Sequence, residues 1–330
     1  MPLAAYATFG RRLCRKRHTP TRASRLMTTP HPTFQCDPMT SKSSLLRGCA
    51  FAITALALSA CATSSTLTEE VQPHVVAKKD RGTFPFIGEK LVFDARHVAT
   101  KASIADAILQ VGHESTMEDG TRFIPISGHA ASKSIIRLFA RVDDSTEAYI
   151  DPQSWETLYG YKHLDENTRD REYSVLFWPR DLTASVERHN AGNIVKRDYA
   201  IPNGTMDSIV WVYEMRASNL EQGKSYTRFT FDGWTLNKVE LKVLGEEDVW
   251  TENGFYHCQK YEIWRERSDA IEPRGALSGL YIDPERNIYV KPYLLATAWL
   301  AKDEAKTPVR MVVSTGIGDF DLLLKSVSKE

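Results

Sequence analysis

The chain has 330 residues, 42% of them hydrophobic and 25% charged, the proportions of a globular protein and not of a disordered one. Its formal net charge of zero hides an asymmetry: nine of the 42 Lys and Arg, but only Asp37 among the 42 acids, lie in residues 1–60, which leaves the remainder at −8. A mildly acidic body lacks the basic footprint of a nucleic-acid binder, so nucleic acid is excluded from the expected partners.

The basic start belongs to targeting. Residues 1–38 are rich in Arg, Thr and Pro without any period, and are expected to be an extension from an over-called gene start. Met39 stands where a start is expected, with Met27 as a second candidate. Residues 39–60 read as a lipoprotein signal peptide. Lys42 and Arg47 supply the positive flank, and residues 49–60 form an uncharged, mostly apolar run. That run is too short to span a bilayer, which takes about 20 residues. It ends in Leu58-Ser59-Ala60-Cys61, a lipobox pattern. Leu58 fills an apolar pocket of the signal peptidase, and the small Ser59 and Ala60 let the backbone enter its site. Cys61 takes the diacylglycerol and becomes the first residue of the mature chain. Two or three acyl chains, at about 0.8 kcal/mol per buried CH₂, hold a protein stably at a membrane. Residue 62 is Ala and not the Asp that favours inner-membrane retention in enteric bacteria, so the expected address is the outer membrane of a Gram-negative envelope.

Residues 61–83 are polar and irregular and read as a lipidated, flexible tether. A single β domain is expected over residues 84–327. Val239, Leu241 and Val243 alternate with Glu240 and Lys242, and Phe229 and Phe231 with Arg228 and Thr230. Val309, Met311 and Val313, then Phe320, Leu322 and Leu324, repeat the pattern, as do Ile136, Leu138, Ala140 and Val142. Asp119-Gly120, Asp232-Gly233 and Asn253-Gly254 are turn signals between such runs. From Asp207 to Asn219 the spacing changes. Asp207 is a candidate N-cap, and the segment reads as a short amphipathic helix. The fold class is therefore mostly β: a curved antiparallel sheet or open half-barrel with one short helix packed on it.

No His-Glu-x-x-His, Gly-x-Ser-x-Gly or phosphate-binding loop occurs. Gly275-Ala-Leu-Ser278-Gly279 has the wrong spacing for a nucleophile elbow, and Gly316-Ile-Gly318 reads as a hairpin turn. His97, His113, His129, His163, His189 and His257 are scattered, with no two at metal-ligand spacing on one element. Asp143 and Asp144 point to opposite faces of a strand, while Asp319 and Asp321 share a face that reads as solvated. No catalytic residue, cofactor or metal is expected. All seven Trp follow Cys61, as core residues or as a platform for glycan or lipid. Once Cys14, Cys36 and Cys49 are removed and Cys61 is lipidated, Cys258 is alone, without a disulfide partner, and is expected to be a buried core residue.

Several segments in order, Phe86-Ile-Gly-Glu89-Lys-Leu-Val-Phe93, Arg141 to Pro152 with its Asp-Pro end, Arg169 to Tyr173, Asp207 to Arg216, Glu252 to Glu262 and Trp299 to Arg310, resemble the domain-of-unknown-function-3108 family of bacterial exported proteins. Residues Ile271 to Lys291 are longer than that family's pattern. The resemblance implies an antiparallel, strongly curved sheet with a helix packed on it, in an architecture similar to half-barrel lipoprotein carriers, and it supplies no catalytic residues. Two functional classes follow. The first is a lipoprotein that binds an amphipathic ligand or an envelope partner (a lipid, a glycan or a protein) on the concave face of its sheet. The alternative is an envelope enzyme acting on glycan or peptidoglycan through carboxylates.

Overall fold

A computed structural model describes residues 80–137, 141–166, 169–190, 192–233, 235–268, 292–315 and 318–330. The alternating runs form strands that join one fifteen-stranded sheet, antiparallel at every ladder. Its first half is β1 (Glu89–His97), β2 (Ser103–Val111), β3 (Ser115–Thr116), β4 (Arg122–Ser132), β5 (Asp143–Ile150), β6 (Thr157–Glu166), β7 (Arg169–Trp178), β8 (Thr183–Asn190) and β9 (Asn193–Ala200). Its second half is β10 (Ser225–Phe231), β11 (Leu236–Thr251), β12 (Gly254–Ser268), β13 (Tyr293–Ala301), β14 (Pro308–Thr315) and β15 (Gly318–Lys329). A helical turn, α1 (Ser134–Arg137), and one longer helix, α2 (Ser208–Ala217), complete the described elements.

Each half is a meander, and the first and last strands, β1 and β15, pair in the middle of the sheet. The free edges are therefore β9 and β10, which follow each other in the chain with α2 between them. The two edges share no ladder, so the sheet is curved but not closed. Side chains bridge the gap. Phe231 at the end of β10 packs against Phe177 and Tyr199, within a cluster that also holds Val175, Val186 and Leu236. Met206 makes backbone contact with β10 at this seam: its N–H donates to Phe229 O at 3.2 Å, and its carbonyl accepts from Phe231 N at 2.9 Å.

Helix α2 packs on the sheet, as expected, but it is not amphipathic: it fills the inside of the curve. Every residue from Ser208 to Arg216 is buried. Ile209, Val210, Trp211, Val212, Tyr213 and Met215 enter a single core with inward residues of β1, β2, β4, β5 and β11–β15. A helix apolar on all sides is a buried helix. Two strand glycines allow its close approach. A Cβ on Gly128 of β4 would stand 3.2 Å from Ile209 Cδ1, and one on Gly160 of β6 would stand 3.0 Å from Asp207 Oδ2.

The expected turns at Asp119-Gly120, Asp232-Gly233 and Asn253-Gly254 fall between β3 and β4, β10 and β11, and β11 and β12. Other expectations are corrected. Ile136 and Arg137 belong to α1 and not to a strand, and Leu138 and Ala140 lie outside the described residues. The packed domain reaches back past Phe84 to Arg81: its N–H donates to Gln153 O at 2.8 Å, its guanidinium pairs with Glu214 at 2.7 Å, and it covers the Trp155 ring. Asp321 is not solvated. It is buried and accepts two bonds from Arg310, at 2.8 and 2.9 Å.

Candidate functional site

Two places concentrate the chemistry: the latch that holds α2 inside the sheet, and the tip of the β11–β12 hairpin.

A helix inside a protein must satisfy its ends and its charges. At the N-terminus, Asp207 Oδ1 accepts from Ile209 N at 2.9 Å, as an N-cap does. The Asp207 carboxyl is buried beside Lys162, 3.7 Å away, and burial pushes its pKa up. Glu214 takes Arg81 at 2.7 Å and Arg228 at 3.3 Å. Arg216, fully buried, donates from Nη1 and Nη2 to the two oxygens of Glu89, each at 2.6 Å. Its Nη2 and Nε also reach Ala305 O at 3.1 and 3.3 Å, and its guanidinium stacks on Phe86 at 4.1 Å. The loop that presents Ala305 is itself capped, because Thr307 N and Oγ1 donate to Asp303 at 2.9 and 2.7 Å.

The second place is the outer part of the β11–β12 hairpin. A register shift between Val243 and Glu246 bends the long β11–β12 hairpin, and its outer part is paired to β13 only as far as Cys258. That part packs on β13 and β14 through Val249, Cys258, Trp299, Ala301 and Val309, a cluster apart from the main core. At the tip, Glu252 pairs with Arg96 of β1 at 2.5 Å. Trp250 and Phe255 are cross-strand partners with ring centroids 4.7 Å apart, and they stay 75% and 50% exposed. Around them, Lys260 holds Glu247 at 2.9 Å, and Lys302 holds Glu246. His257 is gripped by Asp248 and Glu246, each at 2.7 Å, and these carboxylates raise its pKa. The tip is thus an apolar knob on a base of matched charges.

Other residues singled out from sequence are dispersed. His129 pairs with Asp143, His163 with Asp170 and His189 with Glu187, while His97 packs edge-on against Phe320. Among the described residues no group of three His, Cys, Asp or Glu is placed to hold a metal. Asp144 is buried and Asp143 is not, as their opposite faces require. Trp211 and Trp299 are core residues, Trp250 is exposed, and Trp234 lies outside the described residues. So do Leu58, Ser59, Ala60 and Cys61, the segment Gly275–Gly279, and all of Ile271–Lys291.

Cys258 is buried, and burial pushes its thiol pKa up to about 12. With its thiolate disfavoured at neutral pH and no exposed surface, it should resist a thiol reagent in native protein and react fully after denaturation. Rapid native labelling would contradict this.

The family described as protein of unknown function (DUF3108) matches residues 93–325. The chain belongs to the DUF3108 family. Three segments that carried the DUF3108 resemblance meet at the α2 latch: Glu89 from the first, Arg216 from the helix, and the Asp303 loop from the Trp299–Arg310 stretch. A fourth, Asp151-Pro152, closes a turn in which Asp151 Oδ1 accepts from Gln153 N and Ser154 N at 2.9 and 2.8 Å. No curated protein matches the sequence. Among solved structures, the chain is similar to a β-barrel-like DUF1849 protein from Brucella abortus, with 9% identity, TM-score 0.44, and coverage of 73% of this chain and 97% of that one. It is also similar to a candidate lipoprotein from Parabacteroides distasonis, with 10% identity, TM-score 0.31, and coverage of 74% and 97%. A candidate exported protein with a YmcC-like fold from Bacteroides fragilis follows, with 9% identity, TM-score 0.26, and coverage of 73% and 96%.

Proposed function

We propose that this DUF3108 protein is a lipid-anchored docking module of the bacterial cell envelope. Acyl chains on Cys61 hold it at the outer membrane, and the Trp250–Phe255 knob engages an envelope protein. The exposed aromatic pair carries this reading. Large aromatics are the residues that anchor interfaces, and here they stand out from the surface on a hairpin braced at Arg96–Glu252. A protruding knob suits a pocket on a protein better than it suits a sugar, which is bound in a concave site. Helix α2 fills the inside of the sheet, where an amphipathic ligand was expected, so the exposed hairpin tip is the better place for a partner. A tether from Ala62 to Asp80, fully extended, would reach roughly 60 Å from the bilayer.

Two measurements test the parts separately. Mass spectrometry of envelope protein is expected to find an acylated Cys61 as the mature N-terminus, and Cys61→Ala should abolish both processing and membrane retention. An unmodified N-terminus upstream of Cys61 would refute the anchor. For docking, a photo-crosslinking residue at position 250 should form one protein adduct in cells, lost when Phe255 is also replaced by Ala. Co-sedimentation with purified peptidoglycan that depends on Trp250 would instead make the partner a glycan.

A further inference from the structure

Arg265 of β12 is 2% exposed. Its Nε donates to Asn237 Oδ1 at 2.7 Å, but neither Nη1 nor Nη2 has a hydrogen-bond partner. Among the described residues no carboxylate lies within ion-pair distance of it. The buried carboxylate of Asp207 has Lys162 as its ion-pair partner, at 3.7 Å, and Lys162 Nζ makes no hydrogen bond. Beside Arg265 is a cavity of about 10 Å³, lined also by Ser208, Trp211, Thr230, Asn237, Val239 and Leu295. The Ser208 hydroxyl is buried and likewise without a partner. Ser208 opens helix α2, so the positive end of the helix dipole adds to the field there.

A guanidinium stays charged at every pH a protein survives. A buried charge with unmet donors costs several kcal/mol unless something of opposite sign satisfies it. The cavity is of the size that takes about one water-sized occupant. A water would accept the hydrogen bonds but leave the charge unbalanced. The unmet groups are donors, and the volume admits a single small species.

We propose that Arg265, with Ser208 and the α2 N-terminus, forms a buried binding site for one monatomic anion of the halide class, chloride being the abundant one. The anion accepts from Nη1, Nη2 and the Ser208 hydroxyl, and it pins β12 to the start of the internal helix. Sulfate and phosphate are too large for the space.

The test is a line-broadening titration of the chloride NMR signal with full-length protein in detergent micelles. Saturable broadening is expected, displaced by bromide and unaffected by sulfate at matched ionic strength. Arg265→Gln should weaken chloride binding about ten-fold or more, as loss of a charged hydrogen bond does. Ser208→Ala removes one partner from a site that stays charged; it should fold normally and bind chloride several-fold more weakly. Broadening that fails to saturate in the native chain, or that Ser208→Ala leaves unchanged, overturns the proposal even if Arg265→Gln does not fold. So does displacement by sulfate as effective as that by bromide.

Discussion

Replacing Arg216 with Met should destabilise the domain by about 3–5 kcal/mol, the cost of leaving one member of a buried ion pair alone. The Glu89 carboxylate would keep its place under the core with neither guanidinium nor water to meet it. The Ala305 carbonyl would lose its donor, and the Phe86 ring would lose the cation it stacks on. Glu89→Leu should do comparable damage from the other side. The double variant, Glu89→Leu with Arg216→Met, should recover much of the loss, because two apolar side chains bury without a desolvation cost. Urea unfolding of the four proteins gives the coupling directly. Single variants within about 0.5 kcal/mol of the native chain would show that the pair does not hold the helix.

Trp211→Ala is the second large effect. Trp211 is buried at the centre of α2 among residues of both sheet halves, so its loss should cost about 3–5 kcal/mol and leave a cavity. That cavity would open the inside of the curve, where the native chain has its own helix. The variant should therefore bind a small apolar probe such as benzene, visible as a rise in unfolding temperature that the native protein does not show. A small loss of stability with no probe binding would mean that neighbouring side chains collapse into the space.

How legible this was from sequence depends on the element. Asp207 announced the start of α2, and the strand pairs around Val239–Val243 and Val309–Val313 announced the sheet, because caps and period-two alternation are local signals. The position of α2 was written in the same residues but read differently. Ile209-Val210-Trp211-Val212-Tyr213 leaves no polar face, and only a helix enclosed on all sides can bury that run. An amphipathic helix accounts for Ile209, Val212 and Tyr213 but not for Val210 and Trp211 between them. Asp321 was misplaced for another reason: its partner Arg310 lies on the next strand, and strand register is not visible in sequence. The aromatic knob was half legible. Asn253-Gly254 fixes the turn, and counting outward puts Trp250 and Phe255 at the tip. Their exposure comes from the bend between Val243 and Glu246, which no local signal marks. Arg265 carried no signal, since a charged residue in an alternating strand ordinarily points to water.

The protein's own helix fills the inside of its sheet. Native mass spectrometry of the soluble chain from Ala62 onward, purified from the periplasm, tests this directly. The predicted result is the mass of the bare polypeptide, with at most a small anion attached. A stoichiometric lipid carried through purification would contradict it, because the space such a ligand needs is the space that Ile209, Trp211 and Tyr213 occupy.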